Sequence, residues 1–439
     1  MMPLAVLVAP IAVGAAIAFT IHLLAPERLG TSLPLYAVVA YCLLVEINIE
    51  PLAGSTIDRL SDVALGGLAV GGAALLVYAD RAGWRTLRTP TTWLLALLGL
   101  GLVLVPLSSS PVSTLQRSVV ALAIVVAVHH LVRRCGYERT LTAVAVGAIL
   151  LVVLSLAWEI VGPGTPSNLL SNVVDTGFFG LRRHQGLTSQ PNQFGRICGT
   201  LVVVGAVLSV HSPTQRVVGY VAQVVGVVGL GFAQSRTGVV VTLAAVLLVY
   251  LLAGRVVAIT GLVTIGLATG MLLWSTGAIG TESITRDGTG GGSQELTTAT
   301  GRTALWAYTI DTAMAEPLFG VGAFATDTAL APAVTDGRIG FEALDAHNLF
   351  LNTLLAQGLV GLALLGGLIA AVARHRAEAR AGAPLILLAL AGLSMTEYLF
   401  WKPNSTLVLL AVALAAFGTV GTVPPVKIRA HPAPTASYP

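Results

Sequence analysis

Charge is what this sequence has least of. Only 10% of its 439 residues are Asp, Glu, Lys or Arg, against about a quarter in an ordinary globular domain. Hydrophobic residues make up 55%, and the mean hydropathy is +0.85. So little charge cannot cover a water-facing surface, and a soluble fold is excluded. Lysine occurs only at Lys402 and Lys427, so the net charge of +4 rests on arginines scattered over short loops. Without a basic block or stripe, nucleic acid is excluded as a partner. Aromatics, at 6%, are too few for the girdles of a membrane barrel. Cysteine is scarce too: Cys42, Cys135 and Cys198 stand in or beside separate apolar runs, with neither metal-ligand spacing nor an even disulfide set, and read as small core residues. No period of about 20–50 residues repeats, which excludes a solenoid.

What remains is hydrocarbon, rich in Gly and Ala, of the kind that packs helices closely through small residues. The expected fold is all-α: a polytopic transmembrane helical bundle of about 12–13 spans with a large, partly helical extracytoplasmic loop. A span needs about 20 mostly apolar residues. Candidates lie near 4–24, 33–49, 62–79, 92–107, 115–132 and 140–160, then 194–210, 217–233, 237–254, 256–275, 348–373, 383–400 and 404–421. The first run has no basic leader and reads as a span, not a cleaved signal. The chain divides into an N-terminal half (1–193, with a short outer loop at 161–193), central helices (194–275), a large outer loop (276–346), C-terminal helices (347–423) and a Pro-rich, disordered cytoplasmic tail (424–439).

Basic residues in short connections set the orientation. Arg81, Arg85, Arg88, Arg133, Arg134, Arg139, Arg216, Arg255, Arg374, Arg376, Arg380, Lys427 and Arg429 mark the cytoplasmic side. Arg182, Arg183, Arg196, Arg236, Arg302 and Arg338 then fall outside, against the topogenic preference. Each alone could snorkel to lipid headgroups; as a set beside the two long outer loops they point to an anionic ligand.

Within the large loop, Thr300 to Trp306 opens a helix that must stop near Glu316, before Pro317. Leu305, Trp306, Ile310 and Ala313 give it an apolar face expected to lie on the bundle's outer surface. Arg302 in its first turn combines a guanidinium with free backbone N–H groups, a phosphate site; stacking on Trp306 as a cation–π pair is a compatible alternative. Asp345 is placed to cap the following helix, which puts His347 in its first turn with Asn348 and Asn352 alongside. There the helix dipole disfavours imidazolium, leaving a neutral imidazole able to act as general base. The plainer alternative is a histidine bonded only to a loop carbonyl, and His184, beside Arg183, is the other outer candidate. Gly320-Val321-Gly322 reads as a turn after Pro317, not a nucleotide loop. The loop acids lack Asp-x-Asp spacing, so no divalent metal is expected. Glu46 reads as a headgroup or helix-cap contact.

Four motifs in order resemble the O-antigen ligase and polysaccharide polymerase family. They are Arg183-x-x-Gly-Leu-x-x-x-Pro-Asn192, Ser235-Arg236-Thr237-Gly238 at the head of a span, Gly301-Arg302-x-x-x-Trp306 followed by Pro317 to Gly322, and His347-Asn348-x-x-Leu351 running to Gly358-x-x-Gly361. The resemblance implies a glycosyltransferase of the cytoplasmic membrane that needs no metal or cofactor. It would take a glycan from a polyprenyl diphosphate carrier and pass it, with inversion, to an acceptor hydroxyl on a glycan or lipid at the outer face. It also implies that Arg236 and Arg302 hold the diphosphate, that His347 takes the acceptor's proton, and that Arg182, Arg183, Asn192, Trp306 and Asn348 belong to the substrate site. Ligase and polymerase modes stay open. A flippase for the same lipid is the rival from another class, disfavoured by the absence of inverted repeats and of matched broken helices. A scaffold would leave the outer arginines unexplained.

Overall fold

Backbone in hydrocarbon must satisfy its own hydrogen bonds, and a helix does so within one segment. Among its described residues, a computed structural model shows thirteen α-helices and no strand. It describes residues 29–47, 55–79, 89–161, 183–254, 302–336, 345–376, 382–395 and 403–417. The helices are α1 (Leu29–Leu44), α2 (Ser55–Ala79), α3 (Thr89–Val103), α4 (Pro111–Cys135), α5 (Tyr137–Val161), α6 (Pro191–His211), α7 (Arg216–Ala233) and α8 (Arg236–Leu252). In the large loop lie α9 (Arg302–Ala315) and α10 (Thr326–Thr335), and after it come α11 (Leu349–His375), α12 (Ala383–Ser394) and α13 (Ser405–Ala415). Eleven of the expected spans coincide with helices; those near 4–24 and 256–275 lie outside the described residues, as do Arg182, Arg338 and the tail. Among the described residues, five helices are long and apolar enough to cross a membrane, and six more apolar stretches are shorter. The protein is a multi-pass helical membrane protein.

Pro111 and Pro191 stand at the first residues of α4 and α6, where the ring forfeits no helical bond. α6 is the most buried of the long helices. It meets α7 almost backbone to backbone: a Cβ on Gly205 would lie 2.6 Å from the Gly219 carbonyl oxygen. Small residues permit that approach, and dispersion across it is what holds helices together in lipid. The exposed valines and leucines of α2, α7 and α8, among them Leu75, Val224 and Leu243, are the lipid-facing surface.

Two features depart from the expected bundle. α10 is a second helix in the large loop, hidden in the sequence because Pro332 lies inside it. The other is a break in α11 at Gly358, with φ 63° and ψ −157°, about 14 Å from the helix start. The segment after α9 fills that break. Leu355 and Ala356 carbonyls, which an intact helix would pair with Leu359 and Val360, instead accept from Val321 (2.9 Å) and Gly322 (3.0 Å). The freed amides of Leu359 and Val360 donate to Pro317 O (2.8 Å) and Leu318 O (3.3 Å). Four bonds between segments replace two within the helix. Gly320 belongs to this insert and is more than a turn: at φ +65° its Cβ would lie 2.4 Å from Leu355 O. A broken helix is therefore present, and no matching one occurs among the described residues.

α9 turns a different stripe inward from the expected one. Its buried stripe is Leu305, Thr309 and Ala313, packed with Leu355 of α11 and with Leu330 and Ala333 of α10. Ile310 faces away, 42% exposed. Helix α9 runs down beside the upper half of α11, the insert docks at the break, and α10 packs back against both.

Glu46, just past the end of α1, ties three elements together. Its carboxylate accepts from Ser405 N (3.0 Å) and the Ser405 hydroxyl at the head of α13, and from Gln193 Nε2 (2.7 Å) in the first turn of α6. Two helix N-termini thus compensate one buried charge. Glu46→Ala would leave three donors unpaired, at an expected cost of about 3 kcal/mol. The thermal midpoint of the solubilised protein would fall clearly, and Glu46→Gln, which keeps an acceptor oxygen, would lose less. An unchanged midpoint for Glu46→Ala would refute the junction's role.

Candidate functional site

The polar residues singled out in the sequence gather at one end of the bundle, where α7 and α12 end and α6, α8, α9, α11 and α13 begin. A strap from Arg183 to Gln190 runs across it. Arg183 donates through Nε to Ala233 O (3.2 Å), a terminal carbonyl of α7, and through Nη2 to Asn192 Oδ1 (2.6 Å). His184 N–H donates to Phe232 O (3.0 Å), and its ring packs edge-on against Phe232 at 5.3 Å between centroids. Gly186 is required in the middle, for its φ is +58° and a Cβ would lie 2.4 Å from Ser155 Cβ. Arg183 is thus buried and occupied in holding the strap, with Asn192 as its partner.

Where the strap meets α7, the chain turns into α8 through two residues. Gln234 takes a left-handed conformation, and the Ser235 hydroxyl accepts from Gly238 N (3.3 Å), capping α8. That places Arg236 as the first residue of α8, at the helix's positive end. The motif Ser235 to Gly238 is therefore a helix cap, with Arg236 as the first helical residue.

The turn from Asp345 to Asn348 differs in register from the expectation. The cap of α11 is Asn348, whose Oδ1 accepts from Phe350 N (3.0 Å) and Leu351 N (3.2 Å); Nδ2 donates to Met395 O (3.3 Å) at the end of α12. His347 precedes the cap instead of lying in the first turn, and its φ is +47°. Such left-handed backbone is costly for a residue with a Cβ. Asp345 does not cap the helix; its Oδ1 accepts the His347 backbone N–H (2.6 Å) and lies 3.4 Å from His347 Nδ1. Asn352, fully buried in the next turn, accepts the Ala346 N–H through Oδ1 (3.2 Å).

Trp306 Nε1 donates to Ala346 O (3.0 Å), so the indole fastens α9 to this turn. Arg302 lies one turn before it, at the head of α9, partly exposed. The heads of α9 and α11 are thus joined, and α12, which reaches Asn348 through Met395, packs along α8 at Gly392 and Val241. Arg302 heads α9 and His347 precedes α11, and these two heads are joined directly; Arg236 heads α8, which is linked to them through α12. Arg183, Asn192, Trp306 and Asn348 are near them but spend the bonds described here on backbone and on one another.

This architecture defines a polytopic helical membrane protein. Residues 221–366 match the family model described as O-antigen ligase, which supports an O-antigen ligase-like membrane function in polysaccharide biosynthesis. The family implies a glycosyl-transfer activity. The match includes Arg236, Arg302, the insert at Pro317 to Gly322, His347 and the break at Gly358, while the strap precedes it. No curated protein matches the chain.

Proposed function

We propose that this protein moves a glycan from a polyprenyl diphosphate carrier to an acceptor hydroxyl, in the cytoplasmic membrane with the site end facing outward. The observation that carries the reading is the turn around His347: an imidazole held rigidly ahead of a helix, with its side chain 14% exposed, and fastened through Trp306 to the helix that begins with Arg302. His347 takes the acceptor's proton as its oxygen attacks the anomeric carbon. The bond to the diphosphate breaks on the opposite face, which inverts that carbon, and Arg302 and Arg236 hold the charge that develops on the departing oxygens. These guanidiniums supply the positive charge, so the reading calls for no metal. Arg183, Asn192, Trp306 and Asn348 act by fixing the elements that present the reacting groups.

A lipid-linked donor is supported by the surface of α9. Arg302, Trp306, Ile310 and Met314 recur every four residues along α9, Ile310 and Met314 being 42% and 61% exposed, and Leu318, in the segment that follows, is 57% exposed. A cation at the head followed by an apolar track suits a diphosphate followed by a polyprenyl tail. Orientation is supported by Arg133, Arg134, Arg139, Arg216, Arg374 and Arg376, which lie at the opposite end. A flippase would use a broken helix to expose unpaired backbone to its cargo; in α11 the groups freed by the break are paired with the insert.

The test is a donor assay: protein in liposomes with a labelled polyprenyl diphosphate oligosaccharide and chelator, the products sized on a gel. Lengthened glycans from donor alone would make it a polymerase; consumption only after addition of envelope extract would make it a ligase. The reading fails if donor is consumed under neither condition, or if correctly inserted His347→Ala protein matches the wild-type rate.

A further inference from the structure

We infer that Asp345 is a positioning residue for the transfer reaction: it fixes the tautomer and orientation of His347, so that Nε2 is the atom that receives the acceptor's proton. The inference rests on the reading of His347 as general base. Asp345 is buried, its side chain 3% exposed, and one carboxylate oxygen meets both the backbone N–H of His347 at 2.6 Å and the ring Nδ1 at 3.4 Å. The first contact is a short hydrogen bond across two residues, the pattern by which Asp stabilises a turn. It holds the carboxylate in place whatever the ring does. The second is long for a hydrogen bond, and contacts of this type tighten when substrate binds.

The backbone around the pair has little freedom. Ala346 N–H is taken by Asn352, Ala346 O by Trp306 and His347 N–H by Asp345, while Asn348 is committed to capping α11. A histidine at φ +47° persists only where the surroundings over-determine it. The effect is to aim one ring nitrogen at a fixed anion. The proton on Nδ1 is assigned from that anion's position, which leaves the lone pair on Nε2.

In the transfer step, the acceptor oxygen forms its bond to the anomeric carbon while its proton passes to Nε2. The electron pair of the breaking bond stays on the diphosphate. The imidazolium so formed lies against Asp345, which remains ionised and stabilises it.

The test uses the full-length protein in liposomes with Asp345→Asn, which keeps an oxygen for the His347 backbone N–H and so preserves the turn. The expected result is a fall in kcat of about 100-fold or more, with KM for the donor within about twofold. Nitrogen-15 NMR of the His347 ring is the second readout. Wild-type protein is expected to carry its proton on Nδ1, and Asp345→Asn protein to lose that preference. An unchanged kcat overturns the inference; so does a wild-type ring protonated on Nε2, even if the variant does not insert. If His347→Ala is inactive while Asp345→Asn matches wild type in kcat and tautomer, only this inference fails. If His347→Ala is fully active, the proposed function itself fails.

Discussion

Arg302→Ala is expected to lower kcat by about 10²–10³-fold, the usual loss when one preorganised donor to a developing charge is removed. Arg302 is the first residue of α9, at the helix end whose N–H groups and dipole favour anions. In the proposed reaction the donor's diphosphate gains charge as the glycosidic bond breaks, so these contacts strengthen in the transition state and their loss appears in kcat rather than KM. The His347 turn is not disturbed by this change, because it is fastened by Trp306, one turn further on. Arg302→Lys is expected to recover only part of the activity: lysine keeps the charge but not the planar fork that grips two phosphate oxygens. Initial rates in liposomes across a donor titration separate the cases. A kcat within about twofold of wild type for Arg302→Ala would remove Arg302 from the chemistry.

Sequence foretold the helices because hydropathy reports burial in lipid, and a run of about 20 apolar residues has few alternatives there. The outer arginines and His347 stand out as polar residues among so much hydrocarbon, but only the family resemblance singles out Arg236 from that set. The register at His347 was illegible. Asp345 and Asn348 are both good caps by type, and only the pairing of Asp345 with the His347 N–H decides between them. Arg183 illustrates a different limit. An arginine that anchors a helix's terminal carbonyl and one that awaits an anion look alike in sequence; the bonds to Ala233 and Asn192 distinguish them. Glu46 needed partners about 150 and 360 residues away to show what it does. The break in α11 was hidden for the same reason: Gly358 stands in an apolar run that continues on both sides, and its partners lie near Pro317.

That break predicts the largest structural effect in the protein. At Gly358 the backbone lies in a region open to glycine alone, and a Cβ would sit 2.3 Å from the Leu318 carbonyl carbon. Gly358→Ala therefore cannot keep the present arrangement. If α11 straightens, Leu359 and Val360 recover their helical partners, but the insert is expelled and the N–H groups of Val321 and Gly322 lose theirs. The strain and the lost pairing together are expected to cost about 3 kcal/mol or more. The loss carries to function, because the insert is the lower of two ties between α9, which presents Arg302, and α11, which His347 precedes; Trp306 to Ala346 is the upper. A displacement of about 1 Å between reacting groups can cost about 10²-fold in rate, so transfer is expected to fall by more than tenfold even in protein that inserts correctly. Gly366→Ala is the control. It lies in the same helix, with helical backbone and nothing within 4 Å of an added Cβ, and there alanine is expected to be neutral or stabilising by up to about 1 kcal/mol. Thermal midpoints in detergent and transfer rates in liposomes for both variants decide the matter. If Gly358→Ala behaves as Gly366→Ala does in both, the insert neither supports the fold nor holds Arg302 and His347 in register.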